Sequence, residues 1–499
     1  MENKSYLIEE LKPFADSLIW QLSRDYYQQT GLDAWSSGAV PHHVTSNARV
    51  GKTYAELIFA FLKDLATKGQ SQETVYIVEL GAGHGRLAFH ILKHLERLIA
   101  EQDLSLPAFC YIISDIVEDN LAFFEEHHQF QAYLQRGVLD VAYFDAVVSE
   151  ELVLRYAQKT LQTASLEQPV LAIGNYFFDS LPNDLFRVDN KKIHRSGLRL
   201  EMSEDPQDMG VANLLKYLSI HCEDLPPSAF QYQNKDWNTL LEVYRQKLTQ
   251  TYLFFPRVGL TCLEHLSALS TSGLLLLTMD KGYQHIKELD RIHQPDMVIH
   301  GSMSFAVNYH AFRSICEQEG GLVYFPDFSN PNLQMGCMLF LKDGETYLQT
   351  KAAYQHQVND FGPSDFNGFK KFAYKHIETI TLPEVIGLIR LGAYDATLFV
   401  NFLPRLKVLL QRITYSERLL LAQSMHAVWD TYFSINEGDD LAFEMAGIFY
   451  KLGYYQDALD YFAHSVQEYG STPDAYYNQI LCYYQLRQDV LFVQTIKRS

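Results

Sequence analysis

Cysteine is scarce in this sequence, and none of it is spaced for a purpose. Cys110, Cys222, Cys262, Cys316, Cys337 and Cys482 are scattered, with no CxxC pair and no zinc spacing. They are expected to be buried, reduced thiols of a cytosolic protein. Long apolar runs are also missing, and nothing approaches the ~20 residues that cross a bilayer. Residues 1–24 carry Glu2, Glu9, Glu10 and Asp16, unlike a signal peptide or an Arg-rich transit sequence, so the expected compartment is the cytoplasm. Positive charge is in deficit, with 41 Lys+Arg against 60 Asp+Glu and a net charge of −19. Such a surface repels phosphate backbones and argues against nucleic acid as a partner. No GxSxG elbow, HExxH or P-loop occurs. His42-His43 and His127-His128 have no carboxylate or cysteine at a ligand spacing, so surface or capping roles are expected and no metal.

What is present suits a folded, multidomain chain. The 499 residues are 47% hydrophobic, too many for one ordinary core, and imply two or three domains. The first ~70 residues read as helix, interrupted by the polar stretch Ser36–Lys52. At Thr74–Leu80 the pattern becomes a short, almost wholly apolar run, as a parallel strand buried on both faces requires. Further strands are expected at Phe109–Asp115, Val141–Ala146, Val170–Phe177, Gly273–Asp280, Leu322–Phe328 and Cys337–Leu341. Helices are expected between them, at Arg86–Ala100, Asn120–His128 and Val148–Thr163. Alternation of this kind implies a doubly wound α/β sheet. Residues 184–271 break it with a hairpin over Leu185–Arg199 and at least two helices, and read as an inserted, substrate-facing subdomain.

Residues 346–380 are polar and aromatic and read as a linker; residues 381–499 read as all helix. An internal repeat lies there. Ala442, Phe449, Tyr450 and Leu452 align with Tyr476, Tyr483, Tyr484 and Leu486, each at an offset of 34 residues, the tetratricopeptide period. Leu391–Phe399 hints at an older, degraded unit. Two repeats cannot bury their faces alone, so neighbouring helices must cover them.

The chemistry concentrates in Glu79-Leu80-Gly81-Ala82-Gly83-His84-Gly85, between a strand and a helix. Glycines let the backbone turn sharply and approach a ligand, and a helix N-terminus offers amides to a carboxylate. A dinucleotide fingerprint would need a third glycine where Arg86 stands. The GxGxG spacing with an acid two residues ahead suits the methionine end of S-adenosylmethionine. Gly81, Gly83 and Gly85 would take its carboxylate and Glu79 its ammonium. Asp115 ends the next strand, where a carboxylate can accept from both ribose hydroxyls, and Asp145 is placed for the adenine amino group. Asn175 and Asp179 follow the fourth strand, beyond whose carboxyl end an acceptor would sit. Both are expected to orient the nucleophile, and Asp179 could also take its proton.

These motifs resemble those of the MidA-type methyltransferases, which include the mitochondrial complex I assembly arginine methyltransferase. The family's E-x-G-P-G-x-G is matched by Glu79–Gly85, with Ala82 at the proline. Its N-E-x-x-D-A-L-P is matched by Asn175, Asp179, Leu181 and Pro182, and its I-D-Y-G-Y by Asp280, Gly282 and Tyr283. Ser304, Val307, Thr45 and Ser46 echo two further motifs. The resemblance covers roughly residues 10–345. It implies a seven-stranded, Rossmann-like methyltransferase domain over residues 74–345, preceded by a helical segment over 1–73 and followed by the tetratricopeptide-like domain. It implies S-adenosylmethionine as cofactor, Asp280 and Tyr283 facing the acceptor, and a protein side chain, by precedent arginine, as acceptor. The repeats would then recruit that protein. Met279 and Lys281 depart from the I-D-Y pattern, and Tyr176, Ala48 and His42 stand where the family has acids. Carboxylates commonly hold a guanidinium, so the acceptor differs from arginine or is absent. A non-catalytic scaffold with the same cofactor-binding domain is the alternative.

Overall fold

The computed structural model describes residues 5–488, apart from 42, 70–72, 103, 208, 296, 301, 329, 436 and 439. It divides into two units, one of residues 1–46 and 53–364, the other of 47–52 and 365–499.

The larger unit holds two large sheets, beside three two-stranded pairs. Its strands, in chain order, are β1 (Tyr6–Pro13), β2 (Val75–Glu79), β3 (Phe109–Asp115), β4 (Leu139–Tyr143), β5 (Val170–Asn175), β6 (Asp184–Asp189) and β7 (Lys192–Met202). β8 (Leu218–Asp224), β9 (Gln250–Phe255), β10 (Leu274–Asp280), β11 (Leu322–Tyr324) and β12 (Gln334–Phe340) complete them. The main sheet has seven strands in the order β11-β12-β10-β5-β2-β3-β4. The five from β10 to β4 are parallel, and β12 and β11 run antiparallel. Leu274 to Leu277 of β10 and Val170 to Ile173 of β5 are all fully buried, which explains why these strands read as unbroken apolar runs. From β2 the chain builds outward through β3 and β4, then returns to lay β5 on the other side of β2. The carboxyl ends of β2 and β5 therefore flank the crevice of a topological switch point.

The second sheet is antiparallel, in the order β1-β7-β6-β9, with β8 also on β7. It gathers a separate aromatic core in which the rings of Phe14, Trp20, Phe254 and Phe305 meet at 5.1–5.5 Å. The insertion expected over 184–271 holds the hairpin β6–β7, the further strands β8 and β9, and three helices. Its last helix, Arg257–Ala268, packs on the main core through Leu260, Leu263 and Leu266.

Three expectations give way to the structure. Tyr6–Pro13, read as part of an N-terminal helix, is strand β1, because its partner β7 lies almost 200 residues further on and no local pattern announces it. Helices do follow, α1 (Leu18–Thr30) and α2 (Ala48–Thr67). Val148–Thr163, expected as helix, forms the strand pair Leu152–Leu154 and Lys159–Leu161. The Asp140 carboxylate pins its turn, accepting from the amides of Tyr156 (3.0 Å) and Ala157 (2.9 Å). Leu152, Leu154 and Leu161 then enter the core. Residues 346–380, read as a linker, carry helices at Leu348–Tyr354 and Pro363–Lys375. Tyr347, Tyr354 and Phe366 are buried there, an apolar stripe that the polar residues between them hide. All six cysteines are free thiols.

The smaller unit is helical. Thr381 with Glu384 and Thr414 with Glu417 form capping boxes that start two of its helices, Leu382–Leu391 and Tyr415–Asp430. Leu441–Leu452 ends at Gly453, whose φ of +82° turns the chain into Tyr455–Tyr469. Phe443 and Phe462 meet edge to face at 5.4 Å, and Ser465 donates to Asp440 at 2.5 Å. The helix Pro473–Gln485 follows. The remainder of the second repeat, from residue 489, lies outside the described residues.

Candidate functional site

The Gly-rich loop joins β2 to helix α3 (Arg86–Ala100) at the switch point. Gly81, Gly83 and Gly85 have φ of +61°, +61° and +73°, a region that side chains disfavour. Space is short as well, since a Cβ at Gly83 would lie 2.8 Å from Trp35 Cζ2 and one at Gly81 3.0 Å from Phe177 Cδ2. The loop is anchored from β3. Ala82 N–H donates to Ser114 O at 2.9 Å, and Ser114 Oγ donates to Glu79 O at 2.7 Å. Of the loop's glycines, Gly81 is exposed and the other two are buried.

Two buried acids bracket the loop. Glu79 is 2% exposed and accepts from the Tyr111 hydroxyl at 2.8 Å. Burial, with some help from Asp115, raises its carboxyl to about 8 against the pull of the Tyr111 hydrogen bond. Asp115 accepts from the amides of Gly83 and Val117, both at 2.9 Å. Burial pushes it up to about 6, and those amides and Asn120 pull against the shift.

The acceptor-side residues come together beyond β5 and β10. Asp179 N–H donates to Asp280 at 3.1 Å, and the two buried carboxyls are close enough to repel each other's charge. Burial and the neighbouring Asp179 raise Asp280 well above the usual carboxylate range, while Asp179 is raised by burial to about 6. Lys281 points at the pair, its Nζ 3.8 Å from Asp179 Oδ2 and hydrogen-bonded to Ser304 Oγ. Asn175 donates to Thr45 O at 3.2 Å and accepts from the Tyr54 hydroxyl at 3.4 Å. Tyr176, between Asn175 and Asp179, has φ of +50°, unusual for a residue other than glycine. Tyr283, expected to face the acceptor, packs half-buried on the main core. No hydrogen bond joins it to the acid pair among the described residues.

Two features of the site come from outside the motifs. Asp145, placed by sequence for adenine, is gripped by Arg24 of α1 at 3.1 and 2.5 Å. Its side chain is 6% exposed, so its oxygens are spent on that guanidinium and on the Val147 amide. Tyr27, one turn on, is hydrogen-bonded to Ser302 and lies near both Asp179 and Asp115. Its ring stacks on Trp35, which meets His84 of the loop edge to face at 5.6 Å. The N-terminal segment therefore forms a wall of the crevice. The period of α1 shows in the sequence, but nothing there says which strand ends it faces. Of the histidines, His127 caps the helix His128–Gln135, accepting from the Gln129 amide. His42 lies outside the described residues, and those residues hold no cluster of three or more acids, histidines or cysteines able to bind a metal.

Residues 55–302 match a family described as "Putative S-adenosyl-L-methionine-dependent methyltransferase". Two solved structures from Burkholderia thailandensis, members of one superfamily, are similar at 14% identity. One covers 69% of this chain and 82% of its own, with a TM-score of 0.39. The other, bound to S-adenosyl-homocysteine, covers 68% and 88%, with a TM-score of 0.36. No curated protein matches the chain.

Proposed function

We propose that the chain is an S-adenosyl-L-methionine-dependent methyltransferase, as the description of the family matched by residues 55–302 suggests, and that it methylates a protein side chain recruited by its C-terminal helical unit. The observation that carries the methyltransferase reading is the loop at the switch point. Three glycines in a conformation that side chains disfavour stand between the buried acid Glu79 and the strand-end acid Asp115. That set fits the amino-acid end and ribose of the cofactor. Glu79 would take the ammonium, the loop the carboxylate and Asp115 the ribose hydroxyls. The bound cofactor supplies a methyl group on a sulfonium, whose positive charge disperses as the methyl leaves.

The chain's own work is positioning and proton transfer. Trp35 and Phe177 pack against the loop glycines and Tyr27 stacks on Trp35, so these rings wall the crevice. Asn175, held between Thr45 and Tyr54, fixes the edge of the acceptor slot. Asp179, raised to about 6, is ionised near neutral pH and can still accept a proton from a nucleophile. The helical unit supports the choice of a protein acceptor, because paired helices with exposed aromatics such as Tyr415, Tyr477 and Phe372 offer a surface for a partner chain.

Calorimetric titration of the full chain with S-adenosylhomocysteine, beside Asp115→Ala, tests the reading. Micromolar affinity that the substitution weakens at least about tenfold, or ~1.4 kcal/mol, is expected. No binding by folded wild-type protein would overturn it.

A further inference from the structure

The acceptor slot already contains a cation, and it belongs to the chain. Lys281 follows Asp280 at the end of β10, where the resemblance puts a tyrosine. Its side chain is 18% exposed, its ammonium bonds Ser304 Oγ, and it stands 3.8 Å from Asp179 Oδ2. Asp179 in turn donates its N–H to Asp280, and both carboxyl groups are at least nine-tenths buried. Two like-charged acids in such contact do not both ionise, so the pair carries about one negative charge. Lys281 cancels it. A guanidinium or ammonium acceptor would meet no net negative charge there and would have to compete with Lys281 for Asp179. A carboxylate acceptor would face ionised Asp179.

Resting on the methyltransferase reading above, we propose that the acceptor is a neutral phenolic hydroxyl, selected by Lys281 and deprotonated by Asp179. A neutral nucleophile needs a base, and Asp179 is the carboxylate at the slot. A phenol loses its proton near pH 10, far more readily than an aliphatic alcohol, and a lysine cation nearby favours the phenolate further. Aromatic side chains also stand near Asp179. Tyr27 and Tyr176 are half-buried and close enough to interact with its carboxyl, and planar rings of this kind can pack on a planar, apolar body. In the transfer, the phenolic oxygen forms a bond to the methyl carbon and the carbon–sulfur bond breaks. The sulfur keeps that electron pair, and the phenolic proton passes to Asp179. The products are an aryl methyl ether, the thioether cofactor and a protonated carboxyl, so charge and atoms balance.

Ligand binding tests this without relying on turnover. The full chain, saturated with S-adenosylhomocysteine, is titrated with p-cresol, N-acetyl-tyrosinamide and methylguanidinium. The phenols are expected to bind at least tenfold more tightly than methylguanidinium. In Lys281→Gln the preference shifts towards methylguanidinium by at least tenfold, while S-adenosylhomocysteine affinity stays within threefold. Tighter binding of N-acetyl-tyrosinamide than of p-cresol marks the acceptor as a tyrosine side chain, and the reverse marks it as a free phenol. Equal or tighter binding of methylguanidinium by the wild type overturns the proposal, as does failure of both phenols to bind cofactor-loaded protein. The wild-type ratio decides even if Lys281→Gln does not fold. A chain that takes up no S-adenosylhomocysteine overturns the methyltransferase reading, and this proposal with it.

Discussion

Glu79→Gln should stabilise the cofactor-free protein and at the same time destroy its affinity for the cofactor. The carboxyl is 2% exposed, and burial raises it from its ordinary 4.5 to about 8. Between those values the folded chain holds a proton that the unfolded chain has released. Stability therefore falls as pH rises through that window. At 1.36 kcal/mol per unit, the native state carries a cost of roughly 1 kcal/mol at pH 5 and roughly 3 kcal/mol at pH 7. Glutamine has no charge to desolvate, and its carbonyl can still accept from the Tyr111 hydroxyl, now 2.8 Å from the acid. Urea unfolding at pH 5, 6, 7 and 8, followed by tryptophan fluorescence, measures the difference; Trp20, Trp35 and Trp237 all lie in the larger unit. The variant's advantage is expected to grow across the series. Its affinity for S-adenosylhomocysteine is expected to drop at least about tenfold, because the ligand's ammonium loses its only predicted counter-charge. Wild-type affinity should rise from pH 6 towards pH 8 as Glu79 ionises. A stability difference that is flat in pH, or a variant less stable than wild type throughout, would refute the argument that Glu79 is a desolvated acid awaiting a cation.

Two other substitutions probe the walls of the crevice. Gly83→Ala forces a side chain into φ +61° with its Cβ 2.8 Å from the Trp35 ring. The left-handed backbone alone costs about 1–2 kcal/mol, so a lower melting temperature and loss of cofactor binding by calorimetry are expected; an unchanged melting curve would contradict the loop geometry. Arg24→Ala leaves the Asp145 carboxylate without its guanidinium, at an expected cost of about 1–3 kcal/mol. Burial works to raise Asp145, but Arg24 and the Val147 amide outweigh it and hold the carboxyl below its ordinary 3.8. That stabilisation is present above pH 3.8 and lost as pH falls through the lowered value, so the gap between wild type and variant should narrow in acid unfolding below pH 4.

What could be read from the sequence was what lies within one contiguous stretch. Val75–Ala100 holds a buried strand, three glycines and an amphipathic helix in order, so strand, loop and helix were legible together. Asp115 and Asp280 at the ends of β3 and β10, and Asn175 at the end of β5, were legible for a related reason, since a doubly wound sheet brings the carboxyl ends of its strands to one edge. What stayed hidden depends on partners far apart in the chain. β1 is a strand only because β7 is there to pair with it. Arg24 reaches an acid 121 residues away, and in doing so takes from Asp145 the oxygens that its place after β4 had suggested for adenine. Lys281 is the instructive case between these extremes. The sequence shows it as a departure from a motif, but the motif cannot say what the departure does. Only the 3.8 Å to Asp179, and the hydrogen bond that ties Asp179 to Asp280, turn a changed letter into a changed charge. A motif preserves the positions of a site, whereas the net charge of the slot decides which acceptor can enter it. In this chain the acids that survive from the motif are neutralised by the residue beside them, so keeping Asp179 and Asp280 does not by itself keep a guanidinium site.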